Sequence, residues 1–182
     1  METSFSITTI KAIIGLGNPG KQYEKNRHNI GFCIVDALAH QYEGSWKEHD
    51  NAFISTIQLS INATPHPILL IKPQTYMNNS GKVIHLLQKK GIKPHEILVI
   101  HDELEKSFGL SQVRLGGSAR GHNGLKSIIS VIGEGFWRLR FGIGRPTDKA
   151  DVPNYVLANF SKEEILNMPL ALEKAINLII CQ

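Results

Sequence analysis

The apolar positions of the chain form short runs that alternate with helical stripes. Ile10–Leu16 is a near-continuous apolar run closed by Gly17-Asn18-Pro19-Gly20, the pattern of a buried strand ending in a tight turn. From Asn29 to Tyr42 the period changes. Ile30, Cys33, Ile34, Ala37 and Leu38 fall on one face of a helix, and Gly44 supplies a stop. Phe53–Leu59 alternates as a half-buried strand does, and Pro67–Lys72 is a short buried strand. Ser80–Lys90 predicts a helix with Val83, Ile84, Leu86 and Leu87 inward and Gly91 past its end. Ile97–Ile100 reads as a central strand running into His101-Asp102, and Ser111–Leu115 as a shorter one. His122–Ile132 reads as a helix ended by Gly133, and Trp137–Ile143 as a further strand. Ser161-x-x-Glu164 is a capping box opening helical sequence, with Pro169 expected at the first position of the last helix. Strands alternating with helices predict an α/β fold, a single-domain three-layer α/β/α sandwich around a mixed, mostly parallel sheet. The domain is expected to span residues 1–182, with 1–9 as an N-terminal extension and 161–182 as a C-terminal helical segment.

Composition narrows the class without defining it. The 182 residues are 42% hydrophobic and 20% charged, which excludes a disordered chain or a coiled coil as the main architecture. The two cysteines, Cys33 and Cys181, stand far apart and form no C-x-x-C, so a zinc ribbon or a dithiol redox site is excluded. The N-terminus has no basic region before a long apolar run, and no apolar run approaches the ~20 residues of a membrane span. The expectation is a cytoplasmic protein. Among the eight histidines no His-Glu-x-x-His occurs and no two stand three to five residues apart, so no metal site is expected. No Gly-x-Ser-x-Gly elbow offers a serine nucleophile.

Gly15-Leu16-Gly17-Asn18-Pro19-Gly20 matches G-x-G-x-x-G and follows a predicted strand, as a dinucleotide fingerprint should. Two features oppose that reading. The helix should begin within the motif to hold a pyrophosphate, yet a polar stretch from Lys21 to Asn29 intervenes. The nearest acidic residue, Asp36, lies inside a helical pattern rather than at the end of a second strand. The turn instead places Asn18 at the carboxyl end of a strand, where α/β proteins build their sites.

Polar residues gather at the edges of apolar elements: Asn18, Arg27-His28-Asn29, Met77-Asn78, His101-Asp102 and His122-Asn123. Hydrolysis requires a base that works near neutral pH, a group to orient it, and amide donors for a developing oxyanion. Histidine, aspartate and asparagine supply these roles. Taken singly, Asn29, Asn78 and Asn123 can also serve as helix caps, and Asp102 as a turn residue.

These segments carry a family resemblance. Gly15-Leu16-Gly17-Asn18-Pro19-Gly20-Lys21-Gln22-Tyr23 with Arg27-His28-Asn29-Ile30-Gly31 resembles the N-terminal signature of bacterial peptidyl-tRNA hydrolase. Lys72 to Gly81, containing Tyr76-Met77-Asn78, resembles its second block, and His101-Asp102-Glu103-Leu104 its third. Gly116-Gly117 with Gly121-His122-Asn123-Gly124-Leu125-Lys126 resembles the fourth, and Arg138 to Pro146 with Tyr155-Val156-Leu157 completes the series. The blocks occur in family order over about residues 10 to 160. The resemblance implies hydrolysis of the ester joining a peptide to the ribose of tRNA, by a monomer without metal or cofactor. It implies His28 as the catalytic base and Asp102 as its supporting carboxylate. Asn18 matches the residue that helps to separate N-blocked from free aminoacyl-tRNA. Tyr23, Tyr76, Met77, Asn78 and Asn123 match substrate-contacting positions. Arg120 stands where a glycine is usual, Gln112 where relatives are often basic, and Asn26 where threonine is common.

Charge gives the tRNA expectation a location. The chain carries a net +4, but the segment from Arg114 to Lys149 alone carries +5. Arg140 and Lys149 are expected to contact tRNA phosphates, with affinity falling as salt rises. The rival expectation is a non-catalytic RNA-binding adaptor on the same scaffold, marked by a large exposed apolar patch.

Overall fold

The computed structural model describes residues 4–181. Met1 to Thr3 of the expected N-terminal extension and Gln182 at the end of the C-terminal segment lie outside them.

Strand β5 (Ile97–Glu103) shows how the sheet is built. Leu98 and Ile100 enter one apolar cluster, while Ile97 and Val99 enter another. Alternate side chains of a strand leave opposite faces, so a strand apolar at every position needs a layer on each side. One layer holds α1 (Ile30–Gln41) and α5 (Lys162–Ile180), which bring Ile34, Leu38, Ala175 and Ile179 to the first cluster. The other holds α2 (Ile84–Lys89) and α3 (Asn123–Ile132), which bring Ile84, Leu87, Leu125 and Ile128 to the second.

The remaining strands are β1 (Ala12–Gly15), β2 (Lys47–His49), β3 (Ala52–Ile61), β4 (Thr64–Pro73), β6 (Ser111–Leu115) and β7 (Trp137–Gly142). Their order in the sheet is β2-β3-β4-β1-β5-β7-β6. The four central strands β4, β1, β5 and β7 run parallel, and the sheet turns antiparallel at both edges. The carboxyl ends of β1 and β5, adjacent at the centre, open on the same edge.

Three differences from the expected elements have physical causes. Pro169 does not open the last helix; it lies inside α5, which begins at Lys162 under the Ser161/Glu164 capping box. A proline there removes one helical N–H at a cost of about 3 kcal/mol. The helix continues because Ala171, Ala175, Ile176 and Ile179 are buried beyond it. Strand β5 extends past Ile100 through His101, Asp102 and Glu103, all buried, because these polar side chains find partners. The expected Ser80–Lys90 helix is a 3-10 stretch over Met77–Val83 followed by the short α2. Side-chain bonds compete there with regular helix: Asn18 Oδ1 accepts the Met77 N–H, and Ser127 Oγ accepts that of Gly81.

The glycine loop serves packing. A Cβ on Gly15 would lie 2.3 Å from the carbonyl oxygen of Gly31, so the pair lets α1 touch the end of β1. Two 3-10 turns separate the loop from α1, and Asp36 is engaged by Lys72 at 2.6 Å. Neither feature suits a dinucleotide. Cys33 and Cys181 are free thiols, and burial together with Asp36 pushes Cys33 up to about 11. Among the described residues no helix is long and apolar enough to cross a membrane.

Candidate active site

The carboxylate of Asp102 is buried at the end of β5, where His28 and His122 bond to it and His101 bonds to the backbone carbonyl of the same residue. His28 comes from the 3-10 turn Arg27–Asn29 ahead of α1, and its Nδ1 lies 2.8 Å from Asp102 Oδ1. His122 is the N-cap of α3, and its Nε2 lies 3.0 Å from the same oxygen. The His122 ring stands 4.9 Å from that of His28 and 5.2 Å from that of His101, centroid to centroid.

Hydrogen-bond accounting assigns a different state to each ring. His122 Nδ1 accepts the backbone N–H groups of Gly124 and Leu125, so its proton is on Nε2 and points at Asp102. His101 Nδ1 donates to the carbonyl of Asp102, and its Nε2 is buried without a partner. Burial and the neighbouring His122 push His101 down to about 3, so it stays neutral. His28 donates from Nδ1 to Asp102, which leaves Nε2 as a bare lone pair on a ring whose side chain is 12% exposed. Burial pulls its pKa down, but the charge and hydrogen bond of Asp102 outweigh that, and the net shift is upward from 6.5. Burial likewise pushes the Asp102 carboxyl up, yet His28 and His122 hold it well below the usual carboxylate range.

His28, Asp102 and His122 also offer three ligand atoms within 4.8 Å of one another. The set fits a metal poorly. The two backbone N–H groups on His122 Nδ1 keep the proton on Nε2, the atom a metal would need. The 2.8 Å and 3.0 Å separations are those of hydrogen bonds.

A cleft of about 570 Å³ opens beside this centre, lined by His28, Asp102, Asn123, Arg140, Lys149 and the 116–122 loop among others. Six of the seven cations between Arg114 and Lys149 line it, all but Lys126. Their states differ. Arg140 donates from Nε to Glu103 Oε2 at 2.7 Å, and Arg145 pairs with Glu105 at 3.0 Å. Arg138 is buried and donates to the carbonyls of Gly117 and Ser118, so it shapes the loop. Arg114, Arg120 and Lys149 are exposed and form no ion pair among the described residues. Arg120 has φ 46, the left-handed region that favours glycine, which gives a physical reason for the glycine usual at this place.

A second expected group adjoins the first. Asn29 Oδ1 accepts the Asn18 N–H, and Asn29 Nδ2 donates to the Asn18 carbonyl, both at 2.9 Å. Asn29 occupies the N-cap position of α1, but its side chain makes no cap bond. Asn18 Oδ1 accepts the Met77 N–H at 2.8 Å, which fixes the amide so that Nδ2 remains the free donor. Met77 reaches the start of α3, where a Cβ on Gly124 would lie 2.5 Å from Met77 Sδ and 3.1 Å from His122 Cε1. Tyr23 and Tyr76 meet edge to face, ring centroids 6.3 Å apart, with Tyr76 exposed. Asn78 and Asn123 are exposed, and Asn123 is the first residue of α3 rather than its cap. The sequence alone does not reveal His122 and His101 as partners of Asp102. A histidine at a helix start, two residues before a glycine, was the available signal for His122.

The architecture and the site together define a class: a doubly wound α/β protein with a histidine–carboxylate centre at the carboxyl edge of its sheet. The family model described as peptidyl-tRNA hydrolase matches residues 12–181. The chain is 47% identical to a peptidyl-tRNA hydrolase of Sulfurihydrogenibium sp. (strain YO3AOP1) over 157 residues, 85% of this chain and 81% of the relative. It is 43% identical to that of Aquifex aeolicus (strain VF5) over 171 residues, 92% of this chain and 86% of the relative. The crystal structure of peptidyl-tRNA hydrolase from Acinetobacter baumannii superposes with a TM-score of 0.84 at 37% identity, covering 97% of this chain and 91% of that one. The chain belongs to the peptidyl-tRNA hydrolase family.

Proposed function

We propose that the protein hydrolyses the ester between a peptide, or an N-blocked amino acid, and the ribose of tRNA, with His28 as general base. The observation that carries this reading is the proton inventory of the three rings. His28 and His101 each carry an unprotonated Nε2, but that of His101 is buried, whereas the His28 ring is partly exposed at the cleft. Its Nε2 takes a proton from water as the water oxygen attacks the ester carbonyl carbon. Asp102 holds the ring in the Nδ1–H tautomer and stabilises the imidazolium that forms. Collapse of the tetrahedral intermediate expels the ribose oxygen, which recovers the proton from His28. The products are the free peptide acid and tRNA with its hydroxyl restored. His122, held as an Nε2–H donor, anchors Asp102 from the other side.

Asn123 and Asn78 are the candidate amide donors for the oxyanion, Asn123 aided by the positive end of α3. Asn18 presents only Nδ2, because Met77 N–H occupies its oxygen. A donor at that place donates to a peptide carbonyl and offers nothing to a free ammonium, which gives a chemical basis for preferring blocked substrates. Met77, Tyr23 and Tyr76 complete the substrate-contacting surface, and Arg140 and Lys149 bind tRNA phosphates. The scheme uses no metal or cofactor and is drawn for a cytoplasmic monomer.

A non-catalytic adaptor remains the rival because Leu110, Ile165, Leu166 and Leu170 are exposed on and before α5. Release of N-acetyl-aminoacyl-tRNA and of free aminoacyl-tRNA by wild type and His28→Ala, with EDTA present, separates the two. The hydrolase cleaves only the blocked substrate and loses that activity in His28→Ala. An adaptor binds both without turnover, and robust cleavage by His28→Ala overturns the mechanism.

A further inference from the structure

Arg27 precedes His28 in the same 3-10 turn, and its side chain is buried against the C-terminal segment. Nη1 donates to the carbonyl of Asn159 at 2.7 Å, and Nη2 donates to Glu164 Oε2 at 2.7 Å. The guanidinium carbon lies 4.4 Å from the ring centroid of Tyr155 and 5.6 Å from that of Phe160. The backbone is joined to the same segment: Arg27 N–H donates to Ala158, Phe160 N–H to Lys25, and Asn26 bridges to Asn159. Glu164 Oε2 also accepts the Ser161 N–H at 2.6 Å. One carboxylate therefore closes the capping box of α5 and holds Arg27.

The segment also reaches the other half of the dyad. Tyr155 lies in α4 (Val152–Leu157), and its hydroxyl donates to the carbonyl of Ile143 at 2.6 Å. The Ile143 N–H in turn donates to the carbonyl of Glu103, the residue after Asp102. Val152, Pro153 and Val156 of α4 line the cleft.

We propose that Arg27 is a positioning residue: pinned by Glu164 and stacked on Tyr155, it fixes the turn bearing His28 relative to Asp102 and ties both to the cleft wall made by α4. The proposal rests on the reading of His28 as general base. A planar guanidinium donates in two directions while stacking on an aromatic face, which a lysine cannot reproduce. Misplacing a catalytic group by about 1 Å costs up to ~100-fold in rate.

The test compares Arg27→Lys and Glu164→Gln with wild type and His28→Ala on N-acetyl-aminoacyl-tRNA, after confirming cooperative unfolding above the assay temperature. The expected result for both variants is a kcat lower by about 10-fold or more with KM changed less than ~2-fold. The acid limb of kcat/KM moves to lower pH in both, because the His28–Asp102 contact is loosened. Glu164→Gln answers alone if Arg27→Lys does not fold. Wild-type kcat and an unmoved limb, with only the unfolding temperature lowered, overturn the proposal by reducing the pair to structure. ¹⁵N titration of His28 in the same variants provides a readout independent of turnover: a shifted titration supports the coupling and an unchanged one overturns it. Full activity in His28→Ala instead refutes the base assignment, and the titration then still decides whether Arg27 positions the ring.

Discussion

The two sides of the cleft are built on opposite rules. Around Asp102 and Asn18 the hydrogen bonds fix the orientation of the polar side chains: His122 by two backbone N–H groups, Asn18 by Asn29 and Met77, His28 by Asp102. Along the basic wall, Arg114, Arg120 and Lys149 extend into solvent without ion pairs among the described residues. The contrast fits the roles proposed for the two sides. Proton transfer requires a fixed geometry and a defined tautomer. Phosphate binding requires charge that displaces counterions, and mobile cations supply it. Two arginines stand between these regimes. Arg138 donates from both Nη atoms to the carbonyls of Gly117 and Ser118, and Arg140 is held at Nε by Glu103 and at Nη1 by Gln112, which leaves Nη2 for a ligand.

Substitutions in the two regions therefore have different kinetic signatures. The largest effect is expected for Asp102→Asn, which lowers kcat by about 100-fold with little change in KM. Its pH profile carries a second signature. His28 has a raised pKa, so wild-type activity is lost as pH falls through a midpoint above 6.5, where the ring takes up its proton. Without the Asp102 charge, burial alone acts on the ring and the limb moves to lower pH. Next, Asn18→Ala narrows the preference for blocked over free aminoacyl-tRNA by up to about 10-fold, the worth of one hydrogen bond, measured as the ratio of the two kcat/KM values. Lys149→Ala leaves kcat intact and lowers the slope of log affinity against log salt by about 1. Arg120→Gly has the smallest effect. It relieves a left-handed backbone strain of about 1–2 kcal/mol and raises the unfolding temperature by a few degrees, while reducing the salt slope. A lowered unfolding temperature contradicts the strain reading.

The same division separates what is legible in the sequence from what is not. Strands and helices whose apolar periodicity matches their burial, such as Phe53–Leu59 and the stripe of α1, are legible in the sequence. Elements decided by side-chain partners are not. The polar end of β5 reads as a turn until His28, His122 and Arg140 satisfy it. Pro169 reads as a helix start because the burial of residues after it is a tertiary fact. In the site, His28 and Asp102 stood out by type and by family motif, 74 positions apart in the chain. His122 reads as an ordinary helix-start residue, because only the backbone amides at Gly124 and Leu125 reveal its tautomer. Arg27 stands out only as part of the Arg27-His28-Asn29 segment and Arg138 only as one cation of the basic stretch, because their burial comes from partners far along the chain.

Direct detection of the histidine protons in ¹⁵N-labelled protein, followed across pH beside kcat/KM, bears on all of this at once. The account predicts His28 in the Nδ1–H form and His122 in the Nε2–H form, with His28 titrating above 6.5 at the midpoint of the activity profile. Finding the His28 proton on Nε2 at the pH of full activity, or activity that does not follow His28 deprotonation, contradicts it.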